Sequence, residues 1–232
     1  MYLDFFDLDR PPFNVTPDSD LIYSSEDHFE ALSQMIYGVQ ERKGFVVVTG
    51  PVGTGKTTLS RAFLRELGDD TSTALILNSR MNADELLHAI VDDFGLQPPE
   101  DPTTKQLVDC LNEFLLEEFH EGRNVCVLID ESQNLSPEAL ENLRLLSNLE
   151  TEQDKLLQIV LVGQPELNDV LNRRELRQLK QRINVWVSLS NLTPAETREY
   201  VEHRLEEAGN ADIPIEKTVF DRLHEETGGE PP

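Results

Sequence analysis

The feature that most constrains this chain is a glycine-rich run at residues 50–57, which reads Gly-Pro-Val-Gly-Thr-Gly-Lys-Thr. Residues 44–49 before it are rich in β-branched and aromatic side chains, which is typical of a buried strand. Residues 58–67 after it carry apolar side chains at helical spacing, and Gly68 follows. A strand, a glycine loop and a helix in this order turn backbone N–H groups toward an anion. The run therefore predicts a phosphate-binding loop, and both flanking elements argue against a chance match.

The side chains of this loop indicate a nucleotide as the ligand. Gly50, Gly53 and Gly55 let the backbone bend and approach the anion closely. Lys56 supplies positive charge to the β- and γ-phosphates, and Thr57 supplies a hydroxyl to Mg²⁺. We therefore predict ATP or ADP, together with Mg²⁺, as the cofactors. The predicted nucleotide-binding residues are Gly50, Pro51, Val52, Gly53, Thr54, Gly55, Lys56, Thr57 and Thr58.

A second informative run ends in two carboxylates. Five consecutive apolar residues, 125–129, are followed by Asp130 and Glu131. A central parallel strand is apolar on both faces, and open α/β sheets bind ligands at the carboxyl ends of their strands. Asp130 is therefore predicted to hold Mg²⁺ through water, and Glu131 to orient or deprotonate the attacking water. The alternative, an acidic surface turn, is disfavoured because a phosphate-binding loop precedes it.

Further apolar runs complete the pattern of an α/β protein with a parallel sheet. Strands are predicted at residues 73–78, 156–162 and 183–189, with helical patterns between them. The last of these alternates apolar and polar side chains, which predicts a half-exposed edge strand. The predicted regions are a leading segment and helix at 1–44, a nucleotide-binding domain at 45–190 and a two-helix tail at 191–232.

Two polar features follow the fourth predicted strand. Gln164 lies where its side chain could contact the γ-phosphate or the attacking water, or could simply stabilise a turn. Five of the 20 basic residues then fall within ten positions, either as a solvated helix face or as a source of an arginine for a neighbouring subunit's nucleotide. Arg182 is the first choice for that arginine because it lies where the helix meets the next strand, and Arg177 is the second. The basic cluster comprises Arg173, Arg174, Arg177, Lys180 and Arg182.

Composition restricts the classes of protein to be considered. The 232 residues include 44 acidic and 20 basic ones, and the net charge of −24 argues against non-specific nucleic-acid binding. No apolar run approaches the roughly 20 residues that cross a bilayer, and the N-terminus lacks the basic region of a secretory signal. These features predict a soluble, cytoplasmic chain with no membrane span.

Cys110 and Cys126 are interpreted as reduced small hydrophobes. The histidines, interpreted as surface or boundary residues without a zinc site, are His28, His88, His120, His203 and His224.

Two kinds of feature outside the site motifs can be compared with known families: the arrangement of the predicted strands, and a set of short segments. The segments are Phe6-Asp7-Leu8, Pro12-Phe13, Pro17-Asp18, residues 28–32, Tyr37-Gly38, Gly44-Phe45, residues 161–167 and residues 179–183. Five strands, with one strand between the glycine-loop strand and the acidic strand, plus a helical tail, resemble the AAA+ ATPases. The resemblance implies a P-loop NTPase sheet with the strand order 5-1-4-3-2. Within that superfamily, the short segments look like those of the general secretion pathway protein A (ExeA-type) ATPases. That group includes relatives tied to type IV pilus and exopolysaccharide secretion loci.

The resemblance also implies roles for individual residues. The glycine loop would be the Walker A motif, and Asp130 with Glu131 would be the Walker B pair. Asn78, at the end of the second strand, stands where such ATPases keep a polar residue that can restrain the catalytic glutamate. Gln164 stands at the first sensor position, which is usually asparagine in the wider superfamily. By the same resemblance, the helical tail at 191–232 would be a lid. Family members usually continue Gly-Gly-x-Pro-Arg, but Pro232 occupies the arginine's place here, so this lid is expected to be truncated.

These observations lead to a predicted function and two alternatives. The chain is predicted to be a Mg²⁺-dependent ATPase that assists assembly or operation of a secretion, pilus or polysaccharide-export complex at the inner face of the cytoplasmic membrane. The resemblance implies a homo-oligomeric ring, such as a hexamer, for the full-length protein, with a secretion-complex or inner-membrane partner. The net charge disfavours nucleic acid as a partner. One alternative is a DNA-associated, transposition-accessory type of ATPase. The other is a nucleotide-gated scaffold with little turnover.

Overall fold

The structure is a computed structural model that describes residues 2–13, 25–77, 79–151 and 154–231. Its strands are β1 Phe45–Thr49, β2 Thr71–Ile76, β3 Asn124–Ile129, β4 Leu157–Gly163 and β5 Ile183–Ser188. Its α-helices are α1 Tyr2–Phe6, α2 Glu26–Gln40, α3 Lys56–Leu67, α4 Ala83–Asp93, α5 Thr104–His120, α6 Pro137–Leu146, α7 Glu166–Leu171, α8 Arg177–Lys180, α9 Pro194–Glu207 and α10 Lys217–Thr227.

The five strands form one parallel sheet in the order β5-β1-β4-β3-β2, which confirms the predicted topology. β1 lies between β4 and β5, and β4 lies between β1 and β3. Because all strands run the same way, the ends of β1, β3 and β4 lie side by side at one edge of the sheet. The topology thus brings the glycine loop, the Asp130–Glu131 pair and Gln164 to that edge.

Alternating side chains of the central strands supply two apolar cores. Val46 and Val48 of β1 pack in the core that α2 and α3 cover. Phe45 and Val47 belong to the larger core on the opposite face, which α4, α5 and α6 cover. Every residue of β1 and β4 is buried, as expected for parallel strands with helices on both faces. The result is a three-layer α/β/α arrangement.

The two outer strands behave differently from the central ones. β5 is the edge strand that the alternating pattern predicts, and Trp186 on it is 38% exposed. The second strand was predicted at residues 73–78, and that position was wrong by two residues. β2 begins at Thr71, which pairs with Asn124 of β3, and it ends at Ile76. Leu77, after its end, is 59% exposed, so an apolar side chain extended the pattern beyond the paired segment.

The first residues of the chain lie on helices α9 and α10, which form the segment predicted to be a lid. Leu8 forms a small apolar cluster with Val201, Leu205 and Phe220. The backbone N–H of Asp9 donates to the Ala208 carbonyl at 2.8 Å, so polar bonds reinforce this contact. Residues 2–13 therefore accompany the lid, whereas α2 packs on the sheet.

A backbone hydrogen bond joins the two ends of the predicted lid. The Leu192 N–H donates to the Gly229 carbonyl at 3.0 Å, which joins the start of α9 to the turn after α10. Thr193 caps α9 and forms a capping box with Glu196. Across the described part of the chain, no helix combines the length and the apolar composition that a bilayer crossing requires.

Candidate functional site

The glycine loop connects β1 to α3, as predicted. Residues 50–55 form the loop, and Lys56, Thr57 and Thr58 form the first turn of α3. Gly53 and Gly55 have φ values of +81° and +74°, which glycine adopts without the strain of a Cβ atom. The first N–H groups of α3 have no partner within the helix and can bind an anion. The loop therefore has the backbone geometry of a phosphate site.

Lys56 lies within the loop rather than at the surface. Its ammonium donates to the carbonyl oxygens of Gly50 at 2.9 Å and Pro51 at 2.6 Å. An ammonium carries three donors, so a third remains for a phosphate oxygen. Burial lowers the pKa of Lys56, while the carboxylates of Glu131, Asp130 and Glu166 oppose that shift. A phosphate bound nearby would stabilise the charged form of this partly desolvated lysine.

Thr57 and Asp130 form an oxygen pair across the gap between α3 and β3. The Thr57 hydroxyl donates to Asp130 Oδ2 at 3.1 Å. Asp130 is only 4% exposed, and its other oxygen accepts the Glu131 N–H at 2.8 Å. Mg²⁺ prefers such hard oxygen ligands and usually completes its shell with water and phosphate. The pair fits the predicted metal role, although no group of three or more His, Cys, Asp or Glu side chains within the described residues could hold a metal alone.

Glu131 occupies an unusual backbone position directly after β3. Its φ and ψ are 52° and 35°, a left-handed conformation that is uncommon for residues other than glycine. Its carbonyl accepts the Ser79 hydroxyl at 2.7 Å, and its carboxylate accepts bonds from two glutamine side chains. One of them is Gln164, whose amide lies 3.3 Å from Glu131 Oε2. The other is Gln133, which the sequence analysis missed. It lies two positions after Glu131 in a turn, and the sequence of a turn does not predict where its side chains point.

Asn78, the residue predicted to restrain the catalytic glutamate, lies outside the described residues. Gln164 was predicted to contact the γ-phosphate or water, and the structure places it against Glu131. The Leu167 N–H donates to the Gln164 carbonyl at 2.9 Å, but this is a backbone bond that any residue at position 164 could make, so it does not test the alternative of a turn-stabilising glutamine side chain.

A second missed residue, His28, supports the glycine loop from outside. Its Nε2 lies 2.8 Å from the Thr54 carbonyl, and its Nδ1 lies 2.7 Å from the Ser25 hydroxyl. Because a carbonyl only accepts, Nε2 carries the hydrogen, and in the neutral ring Nδ1 accepts from Ser25. A Cβ at Gly55 would lie only 2.9 Å from Nε2, so the glycine permits this close approach. Ser25 caps α2, and His28 occupies the third helical position, where a capping box would place glutamate or glutamine.

We expect His28→Ala to weaken nucleotide binding by about 2- to 12-fold, the range that corresponds to one hydrogen bond of 0.5–1.5 kcal/mol. The loop would lose a donor that fixes the Thr54 carbonyl. Calorimetric titration with ADP measures the effect. His28→Gln keeps a donor of similar reach and should retain most of the affinity, and His120→Ala, on the exposed end of α5, serves as a control. Wild-type affinity in His28→Ala would contradict this role.

The predicted neighbour-directed arginine makes contacts within its own chain. Arg182 Nη1 donates to the Ser147 hydroxyl at 2.9 Å and lies 3.5 Å from the Arg144 carbonyl, so it caps the C-terminal end of α6. Hence the structure does not bring Arg182 to the glycine loop of the same subunit. The rest of the basic cluster lines a cleft of about 440 Å³. The cationic side chains at this cleft are Arg173, Arg174, Arg177 and Lys180.

An apolar cavity of about 420 Å³ lies between the first residues and the lid. Phe13 and Tyr200 line it, with their ring centroids 6.5 Å apart. Glu230 also lines the cavity, and its Cγ would lie 2.7 Å from a Cβ placed on Gly53. The cavity therefore borders the glycine loop, and its walls come from segments distant in sequence.

The family model for the AAA domain matches residues 39–171. The chain belongs to the AAA domain family. The match runs from the end of α2 through α7, so it includes the glycine loop, Asp130, Glu131 and Gln164. Residues 2–13 and the lid of this AAA protein lie outside the matched range.

One curated relative extends over the whole chain. This AAA protein is 45% identical over 231 residues to general secretion pathway protein A of Aeromonas hydrophila, and the alignment covers 100% of this chain. The predicted resemblance to that group is confirmed. The chain spans only 42% of the length of this curated relative.

Solved structures share the fold of this AAA protein at low sequence identity. The ORC2 protein of Aeropyrum pernix superposes with a TM-score of 0.68 at 20% identity, covering 96% of this chain and 62% of that chain. A RuvB variant of Thermotoga maritima superposes with a TM-score of 0.55 at 20% identity, covering 91% and 61%. At such identities the likeness concerns the fold.

Proposed function

We propose that this chain binds ATP and hydrolyses it to ADP and phosphate with Mg²⁺ at Thr57 and Asp130. The observation that carries the proposal is the convergence of four groups at one edge of the sheet. These are the anion-binding loop, the desolvated Lys56, the oxygen pair and the carboxylate of Glu131. Membership of the AAA domain family supports the same reading.

The nucleotide base is proposed to enter the cavity between Phe13 and Tyr200. The cavity is lined mostly by apolar side chains and borders Gly53 of the loop, so a base there would have its phosphates directed at the loop. Flat rings bind favourably between aromatic side chains. Since both rings belong to the lid or to the segment docked on it, base binding would stabilise one position of the lid relative to the sheet.

In the proposed reaction, water held by Glu131 attacks the γ-phosphorus and passes its proton to that carboxylate. A bond forms between the water oxygen and phosphorus while the bond to the β,γ-bridging oxygen breaks, releasing ADP. Lys56 and the loop N–H groups balance the charge that develops on the phosphate oxygens. Mg²⁺ held by Thr57 and Asp130 would supply further positive charge to the β- and γ-phosphates.

A ring of subunits would complete each site. We propose that Arg182, or failing that Arg177, reaches the nucleotide of the adjacent subunit, which requires Arg182 to leave Ser147. Identical subunits placed head to tail form a closed ring when their rotation closes. The cationic cleft on an otherwise acidic chain supports an anionic partner at this surface.

The biological setting is proposed from the relative that matches the full chain. Because that protein is general secretion pathway protein A, we propose that ATP hydrolysis here serves a secretion, pilus or polysaccharide-export complex at the cytoplasmic membrane. The cationic cleft favours DNA association instead. The net charge of −24 opposes it, and DNA retention that falls steeply with salt would be required to support that alternative.

The test is phosphate release from ATP with Mg²⁺, and with excess EDTA, over a range of protein concentrations. We expect phosphate release in Mg²⁺ and only background release in EDTA, because EDTA removes the cation that Thr57 and Asp130 are proposed to hold. Lys56→Ala should lose both nucleotide binding in calorimetry and turnover. Absence of nucleotide binding by the wild type, or equal release with EDTA, would overturn the proposal.

A further inference from the structure

Gln133 connects the candidate general base to the neighbouring strand. It lies on a short 3₁₀ turn, Ser132–Asn134, directly after Glu131. Its Nε2 donates to Glu131 Oε2 at 2.5 Å, and its Oε1 accepts the backbone N–H of Gln164 at 3.0 Å. One planar amide thus bridges the ends of β3 and β4.

The chemistry of the two partners fixes which way this amide points. The Gln164 N–H can only donate, so the oxygen of Gln133 faces β4. The amide nitrogen must then face the Glu131 carboxylate, which only accepts when ionised. In the reversed orientation, the amide oxygen would face the Glu131 carboxylate, acceptor against acceptor. The amide nitrogen would face the Gln164 N–H, donor against donor. The orientation follows from the protein groups themselves.

A close approach at the end of β4 makes room for this bridge. A Cβ built on Gly163 would lie 2.8 Å from Gln133 Oε1 and 3.3 Å from the Gln133 backbone nitrogen. Any other residue at position 163 would therefore displace the amide or the turn. The contact depends on a glycine in β4, not on a chance orientation of an exposed side chain.

Both glutamine donors converge on the same carboxylate oxygen. Gln133 and Gln164 each donate to Glu131 Oε2. Within the described residues, the structure shows no hydrogen bond from a protein group to Oε1. The carboxylate is therefore held by one oxygen, and the other can accept a proton from water.

We propose that Gln133 is a positioning residue that fixes the Glu131 carboxylate and couples it to the backbone of Gln164. The inference rests on the proposed ATP hydrolysis, and it concerns a residue whose side chain bonds the Glu131 carboxylate and the Gln164 backbone. Because the bridge is a single amide, a shift of the end of β4 moves the Glu131 carboxylate, and a shift of this carboxylate moves the end of β4. Gln133 thereby sets whether Glu131 can face the attacking water.

The test compares Gln133→Met, which keeps the side-chain length but removes both polar ends, with wild type. We expect kcat to fall roughly 10- to 100-fold, the scale of a 1 Å misplacement of a catalytic group, while the ADP affinity changes less than about 2-fold. Gln133→Glu, which places a second carboxylate against Glu131, should lower kcat at least as far. Gln97→Met in the exposed connector after α4 is the matched control.

Combination with Glu131→Gln distinguishes positioning from a general structural effect. If Gln133 acts through Glu131, then adding Gln133→Met to Glu131→Gln gives no further loss in single-turnover assays. An equal loss in both backgrounds, or wild-type kcat in Gln133→Met, would overturn the inference. If Glu131→Gln itself retains full turnover, the proposed role of Glu131 fails first. Unchanged ADP affinity and melting temperature show that each variant is folded.

Discussion

Glutamine in place of Glu131 is expected to lower ATP turnover by about 10²- to 10⁴-fold, the usual contribution of a positioned general base. The substitution keeps the shape of the side chain but removes the basic oxygen that faces water. ATP binding should persist, since the proposed phosphate contacts come from Lys56 and the loop, and the proposed metal contacts come from Thr57 and Asp130. Phosphate release under single-turnover conditions and calorimetric titration measure the two quantities separately.

The matched control for this change is Glu138→Gln, an exposed glutamate in the first turn of α6. It makes the same chemical change away from the site and should leave turnover unchanged. Full turnover in Glu131→Gln would remove this residue from the mechanism. Loss of turnover together with loss of ATP binding would indicate that Glu131 maintains the loop instead.

Alanine in place of Arg182 is expected to lower turnover by about 10³- to 10⁵-fold, the range known for an arginine supplied to a phosphoryl-transfer site. The effect should appear only where subunits associate, so wild-type specific activity should rise with protein concentration. Nucleotide binding should be retained. Turnover measured over a concentration series, with sedimentation of the same samples, tests both expectations.

A mixing experiment separates an arginine in trans from a structural one. Arg182 also bonds Ser147 at the end of α6, so its removal could act through stability. Mixing Arg182→Ala with Glu131→Gln creates interfaces in which an intact glutamate meets an intact arginine, and turnover should reappear. The control is Arg222→Ala on the exposed face of α10. If turnover does not reappear on mixing, Arg182 does not act in trans, and Arg177 becomes the favoured arginine. If wild-type activity is independent of protein concentration, a self-contained site is favoured instead.

The local chemistry of the site could be predicted because its parts are short and continuous. The loop and the first turn of α3 lie within residues 50–58, and their glycines and lysine act through local backbone geometry. Asp130 and Glu131 were predictable because five consecutive apolar residues of the strand lead directly into them. The strand order followed from the resemblance to a known superfamily, and the observed sheet confirms it.

Other parts of the site depend on side chains that meet across the fold. His28 contacts Thr54 across 26 residues of sequence, and Gln133 reaches the Gln164 backbone across 31. Phe13 meets Tyr200 only because the first residues dock on the lid. None of these pairings has a spacing or periodicity that sequence reasoning could detect.

The sequence by itself determined that the chain has a glycine loop between a strand and a helix, an acidic strand end and a parallel sheet to carry both. Those features depend on backbone propensity and apolar pattern, which act over a few residues. Only the tertiary structure decided that Glu131 is held by two glutamines through one oxygen and that Arg182 lies on its own α6. Side-chain direction at such points depends on which elements pack together, and packing is a property of the whole fold.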